Sequence, residues 1–233
     1  VRDDLPDQED NLMRAHVITG SGRYADPWHP FAETGAILAD LLRTEGFDVA
    51  VDDDVDGALT RLDGVDLLVI CAGDPWRAHD DRAAVPQDPP ASSVTGLAHA
   101  LDRGIGVLAV HAALASLRDH PSWAPAIGAL WLPGLSWHPP QATVHVHGGT
   151  LPDGTGIAEF DVHDELYQRL QPVGDRHVVA WHEHDGRQVA SAWVREHGAS
   201  RVAVVALGHD ARSYDSPGHR ALLGALARWA VGG

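Results

Sequence analysis

The sequence predicts an α/β fold, a three-layer sandwich around a mostly parallel central sheet with a mixed C-terminal extension. Three observations carry that expectation. Short apolar runs alternate with amphipathic stretches through the first third, the pattern of strand, helix, strand units in a parallel sheet. Beyond residue 141 the character changes to alternating or apolar runs of strand length, which extend the sheet with mixed strands. A last amphipathic stretch then supplies a closing helix.

Taken in order, residues 15–19 read as the first strand, ending in the turn Gly20, Ser21, Gly22. After Pro27 and Pro30, residues 31–45 place Ile37, Leu38, Leu41 and Leu42 on one stripe and stop at Gly46, a helix with its C-terminal glycine. Residues 47–51 form a second strand, Ala58, Leu59 and Leu62 a short helix, and residues 65–71 a continuous apolar run typical of a strand buried on both faces. Residues 78–93, rich in Asp, Pro and Ala, read as a surface loop. Residues 94–103 form a helix before Gly104, residues 105–110 a fourth strand, and residues 112–118 another helix. The stretch 121–140 holds Trp123, Trp131, Trp137 and several prolines, too irregular for a long helix and too apolar for a linker, so a packed loop region with a short helix is expected. Residues 142–146, 177–181, 188–195 and 201–207 are the later strands. In residues 217–231, Leu222, Leu223, Leu226 and Trp229 share one helical face. No composition shift or fixed-period repeat divides the chain, which is expected to form one domain over residues 1–233.

Composition removes several function classes. The 233 residues carry 33 Asp plus Glu against 17 basic residues, a formal charge of -16, with no concentrated basic stretch. Nucleic-acid affinity comes mainly from Lys and Arg neutralising phosphates, so nucleic acid is not an expected partner. No apolar run approaches the ~20 residues that cross a bilayer, and the acidic, polar first residues are unlike a signal peptide, so no membrane partner and a cytoplasmic location are expected. The single Cys71 excludes an internal disulfide framework and a cysteine-based zinc ribbon, and reads as a small buried core residue. Sixteen histidines outnumber the three Tyr and three Phe. Imidazole is the usual metal ligand and the usual proton carrier near neutral pH, so their positions matter.

Several histidines stand where ligands bind. His111 follows the fourth strand at the carboxyl edge of the sheet, and His209 follows the strand at 201–207. The pair Trp28-His29 lies after the first strand, and His138 precedes two prolines. Asp161, His163, Asp164, Glu165 and Tyr167 crowd together in a loop or first helical turn, where Asp164 and Glu165 either complement a helix dipole or supply general acid, general base and metal-ligand groups. His145 and His147, in an alternating strand, and His182 and His184, in a polar turn, read as surface or cross-strand residues. The Gly20 to Gly22 turn could offer amides to a phosphate, but two glycines after a first strand usually serve a tight turn alone.

Residues 104–113 (Gly-Ile-Gly-Val-Leu-Ala-Val-His-Ala-Ala), Ile127-Gly128 with His138-Pro139, Asp164-Glu165-Leu166-Tyr167, and Arg201 through Gly208-His209 occur in that order. On these motifs the sequence resembles the ThuA-like (trehalose utilisation) family over nearly the whole chain. The resemblance implies a flavodoxin-like, class I glutamine amidotransferase-like fold lacking the catalytic cysteine, with His111 at the elbow where that nucleophile would stand. Without a cysteine there, cysteine-dependent amidotransfer is not expected. The resemblance also implies bacterial sugar metabolism, beside oxidoreductases that turn the 3-hydroxyl of a glycoside into a ketone.

A 3-keto group acidifies the hydrogen at C2, so a base can form an enolate that expels the C1 substituent or is reprotonated elsewhere. The expected function is therefore an enzyme acting on a keto-sugar or 3-keto-glycoside by proton abstraction, through elimination, hydrolysis or isomerisation. His111, Glu165 and Asp164 are the expected catalytic residues. Trp28, His29, Trp137 and Tyr167 are expected to touch the sugar substrate. A divalent metal, if used, is expected on His29, His111, His138 and His209, whereas neither flavin nor nicotinamide is expected. Two other readings compete: a non-catalytic sugar-binding or regulatory module, and a flavodoxin-like flavin binder using the Gly20 to Gly22 turn. Association into a homo-oligomer is left open.

Overall fold

A computed structural model describes residues 12–77 and 87–232. The first half contains β1 (Arg14–Thr19), α1 (Phe31–Thr44), β2 (Asp48–Asp52), α2 (Val55–Ala58), β3 (Leu67–Cys71), α3 (Ala91–Asp102) and β4 (Gly106–Val110). The second half adds α4 (Trp123–Ile127), β5 (Ala129–Leu130), β6 (Ala142–Gly148), β7 (Phe160–Asp164), β8 (Gln171–Pro172), β9 (His177–His184), β10 (Arg187–His197), β11 (Ser200–Val205) and α5 (Pro217–Ala230). Among the described residues the main sheet has the order β2-β1-β3-β4-β11-β10-β9-β6-β7, and β5 pairs with β8 separately. No helix of the described residues is long and apolar enough to cross a membrane.

The parallel strands β1, β3, β4 and β11 are buried on both faces, unlike the edge strand β2, and their alternation feeds two cores. Leu67, Val69, Cys71, Leu108, Val110, Ala203 and Val205 face α1 and α5, where Leu38, Leu42, Leu222, Leu226 and Trp229 meet them. Leu68, Ile70, Val107, Ala109, Val202 and Val204 face the other way, against Leu97 and Leu101 of α3 and Trp123 and Ile127 of α4. Burying each such aliphatic side chain contributes roughly 1.5–3 kcal/mol. That is why the strands read as near-continuous apolar runs.

Strand direction positions the site. The strands β2, β1, β3, β4 and β11 are mutually parallel. Four successive antiparallel pairings, β11 to β10, β10 to β9, β9 to β6 and β6 to β7, then bring β7 back to the direction of β11. The carboxyl ends of β1, β4, β11 and β7 therefore share one edge of the sheet. His29 lies in the segment that follows β1, His111 directly follows β4, His209 comes soon after β11, and Glu165 directly follows β7.

The structure departs from the sequence expectations in five places. Residues 112–118 do not form an α-helix: a short 3-10 turn over His111–Leu114 replaces it. His111 and Leu117 both take positive φ, 46° and 48°, which breaks any helical run. Of the cluster around Asp164, Asp161, His163 and Asp164 lie on strand β7 and Glu165 and Tyr167 in the loop that follows it, so Asp164 caps no helix. His182 and His184 belong to β9 rather than to a polar turn, and His182 is a cross-strand residue that is buried, bonded to Ser191 of β10 and to Gln168. Helix α3 begins at Ala91, inside the expected loop, of which residues 78–86 lie outside the described part. The last strand stops at Val205, two residues early. Cys71 is buried in the core, as expected.

Candidate active site

His111 is presented by a strained junction. The chain leaves β4 and turns at once with His111 at φ 46°, a left-handed conformation that costs a non-glycine residue of order 1–3 kcal/mol and persists only where packing enforces it. Its ring is buried, and its Nδ1 lies 2.9 Å from the carbonyl oxygen of Ala206. A carbonyl only accepts, so Nδ1 carries the hydrogen and the Nε2 lone pair points the other way, where the Tyr167 hydroxyl donates to it at 2.9 Å. Burial, followed by the neighbouring His29, holds the His111 pKa well below its ordinary value. This imidazole is neutral with its tautomer fixed.

His29 is oriented by a carboxylate. Asp26 accepts from the backbone N–H of Trp28 and of His29, both at 2.9 Å, and from the His29 ring Nδ1 at 2.8 Å. Burial acts to raise the Asp26 pKa, but these bonds, led by that to the His29 ring, hold it below its ordinary value. The other ring nitrogen, Nε2, is buried and finds no hydrogen-bond partner among the described residues.

His209 follows Gly208, whose φ is 120° and at which a Cβ would approach Tyr214 Oη to 2.8 Å and Val110 Cγ1 to 2.9 Å. Only glycine fits there. Asp164, buried at the end of β7, clamps this turn: its carboxylate accepts from the backbone N–H of Gly208 at 2.6 Å, of His209 at 3.3 Å and of Glu165 at 2.7 Å, and from the Ser213 hydroxyl. Burial pushes the Asp164 carboxyl up to about 6 against the pull of these four donors. Asp164 thus fixes both Glu165 and His209 without itself lining the cavity.

Glu165 stands among three imidazoles. Its Oε2 lies 3.3 Å from His209 Nδ1, 3.5 Å from His138 Nε2 and 3.8 Å from His111 Nε2. Burial acts to lower the pKa of His209, but Glu165 and then Asp164 outweigh it and hold it above its ordinary value. The His209 Nδ1 contact lacks hydrogen-bond alignment, leaving that buried nitrogen without a hydrogen-bond partner among the described residues. The rings of His29, His111 and His209 pack in a triangle with centroids 4.7 to 5.4 Å apart. One donor atom from each of His29, His111, His209 and Glu165 lies within 4.8 Å of the others.

These groups meet a cavity of about 360 Å³, within the range of small-molecule sites. Trp28, Trp131, His138 and Tyr167 line it, and Trp28 carries the Arg77 guanidinium 4.7 Å above its ring. His138 lies at the rim, outside the four-donor group that includes Glu165. Trp137 is not in the lining: it packs against His184, with 42% of its surface exposed. Sequence reasoning missed Trp131 and Asp26. The spacing of Asp26 three residues before His29, with a proline between, was the available signal for Asp26, since Asp commonly caps such a turn. Nothing local distinguished Trp131 from the buried tryptophans. The Gly20 to Gly22 turn is engaged within the fold, with Gly20 N–H donating to the Cys71 carbonyl and the Ser21 hydroxyl to the Asp53 carbonyl.

A family model described as ThuA, trehalose utilisation, matches residues 14–230. A ThuA-like protein from Parabacteroides merdae superposes with a TM-score of 0.72 at 19% identity, covering 95% of this chain and 90% of that one. A second, from Bacteroides uniformis, gives 0.66 at 14% identity, with 94% and 91% covered. A β-galactosidase from Rahnella matches 93% of this chain with 31% of its own length, at TM-score 0.57 and 16% identity. No curated protein matches the sequence significantly.

Proposed function

We propose that this chain, which belongs to the ThuA trehalose-utilisation family, is an enzyme of carbohydrate metabolism that removes a proton beside the carbonyl of a keto-sugar or 3-keto-glycoside, with a divalent cation at its centre. The observation that carries this reading is the convergence of three imidazoles and one carboxylate on the floor of the cavity, two of the imidazole nitrogens buried without a hydrogen bond among the described residues. A buried polar atom left unpaired costs ~1–3 kcal/mol, and a cation relieves it.

The donor set suits a zinc-like ion. Three imidazoles can hold such an ion with the fourth position open to substrate, as in a catalytic zinc site, which leaves Glu165 as a base, and ligating histidines are held from behind by carboxylates or carbonyls, as Asp26 holds His29 and the Ala206 carbonyl holds His111. His111, kept neutral by burial, is thereby suited to ligation and poorly suited to taking a proton. The cation, when bound, would polarise the ketone and stabilise the enolate oxygen.

The chain's own groups perform the rest. Trp28 and Trp131 offer flat apolar walls to a sugar ring. Glu165, which lines the cavity, takes the proton from the carbon beside the ketone. His138, whose Nε2 is 3.5 Å from Glu165 Oε2 and whose side chain is partly exposed, passes it toward the rim or returns it to a leaving group. With His111 Nε2 committed to the cation, the Tyr167 hydroxyl, in the same wall, would be released from that nitrogen and free to donate to a substrate oxygen.

The test is exchange chemistry. Incubated with a 3-keto-glycoside in deuterium oxide, the protein should place deuterium on the carbon beside the ketone. Glu165→Gln should slow that exchange by about 10³-fold while substrate still binds, the scale of a lost general base. Equal exchange rates in the wild type and the variant sink the assignment of Glu165, and the absence of exchange and turnover on any keto-sugar that binds leaves a binding module.

A further inference from the structure

The described residues contain a second gathering of metal-binding side chains, remote from the cavity. His145 and His147 are two residues apart on β6 and so share a face. Val146, Phe160 and Val162 point into the core beneath α5, which turns His145 and His147 outward. Asp161 pairs with His145 across the β6–β7 ladder, and Glu159 lies one step beyond the last pair, Val146 and Phe160, beside His147.

We propose that His145, His147 and Glu159 bind a second transition-metal ion, of the zinc type, clipping the outermost strand β7 to β6. One donor atom from each lies within 4.8 Å of the others. The His145 Nε2 to Glu159 Oε2 distance is 3.6 Å, close to the ~3.3 Å separating two donors on a tetrahedral zinc ion. The second observation is how the ligands are held. Asp161 accepts from His145 Nδ1 at 2.8 Å, which leaves Nε2 to ligate, the carboxylate, histidine, metal arrangement of natural sites. His147 is steadied by stacking on Trp181, with centroids 5.7 Å apart and planes at 20°. Imidazole with carboxylate favours zinc, copper or nickel over magnesium or calcium. The site lies at the opposite end of β7 from Glu165, roughly 20 Å along the strand at ~3.3 Å per residue, so it is independent of the catalytic proposal.

The experiment uses the full chain, purified without a metal-affinity tag, stripped with chelator and titrated with zinc chloride by calorimetry, with metal content measured after dialysis. The His145→Ala/His147→Ala variant should bind one zinc ion fewer per chain than the wild type, while circular dichroism shows it folded, since both side chains are partly exposed. His209→Ala should retain the edge ion. Asp161→Asn should weaken the edge site alone by about 10-fold to 100-fold, the effect of losing an orienting carboxylate. Equal stoichiometry and affinity in the wild type and the double variant overturn the proposal, as does a wild type that takes up no zinc at millimolar concentration.

Discussion

Imidazoles and carboxylates gather at two places on one sheet, and their surroundings divide their roles. At the carboxyl edge His29, His111 and His209 converge with Glu165 in the floor of a cavity, with two ring nitrogens buried and without a hydrogen bond among the described residues. On the outer face of β6 and β7, His145, His147 and Glu159 lie in or close to solvent, with His145 between two carboxylates. The same donors are thus desolvated and held from several elements in one place, and hydrated on a single hairpin in the other. Burial strengthens local electrostatics and penalises any unmet polar group, so the first arrangement can carry chemistry and the second only a clip.

The largest contrast should come from the residues behind each cluster. Asp164→Ala removes the acceptor of four buried donors and should cost roughly 3 kcal/mol in denaturant unfolding, with loss of His209 geometry. Asp161→Ala, an exposed change, should lie within ~0.5 kcal/mol of the wild type when no metal is present. Equal costs would erase the distinction.

Acid should act through buried imidazoles rather than through the exposed pair. Burial lowers His219 and His182 from 6.5 to about 4. As pH falls, the unfolded chain takes up these protons first, so the stability these neutral rings contribute is complete above pH 6.5 and is lost as pH falls toward 4. Each can contribute roughly 3 kcal/mol across that window. Unfolding free energy measured from pH 7 to 4.5 should fall steeply, and His219→Gln should flatten the slope. A slope unchanged in that variant removes His219 from the account.

Asp26→Asn should act on metal binding. It leaves His29 in place but weakens its orientation, and should lower zinc affinity at the central site by about 10-fold to 100-fold with the edge site untouched. Calorimetry of the two variants, Asp26→Asn and Asp161→Asn, should show each carboxylate serving its own cluster.

The parallel half of the sheet was legible because burial on both faces writes itself locally, as in the run Leu67 to Cys71. So were the strand-end addresses of His111 and His209, since a polar residue directly after an apolar strand marks the carboxyl edge. The antiparallel half was harder. Its strands carry one wet face, and in Phe160–Asp164 the period-2 alternation of Phe160 and Val162 with Asp161 and His163 is only five residues long and dense in charge, so the strand signal is short. His182 looked exposed because its neighbours are polar, yet Gln168 and Ser191 satisfy both its ring nitrogens in the interior.

The sequence by itself determined the layers and the strands, because the alternation of apolar residues reports which faces leave water, and that is a property of neighbours along the chain. Only the tertiary structure decided which side chains meet. Glu165 reaches His29, His111 and His209 because four antiparallel pairings return β7 to the direction of β11, and Trp131, not Trp137, enters the cavity wall because of how an irregular segment packs. Strand order and direction arise from contacts between residues far apart in the chain, and no local pattern of hydrophobicity encodes them.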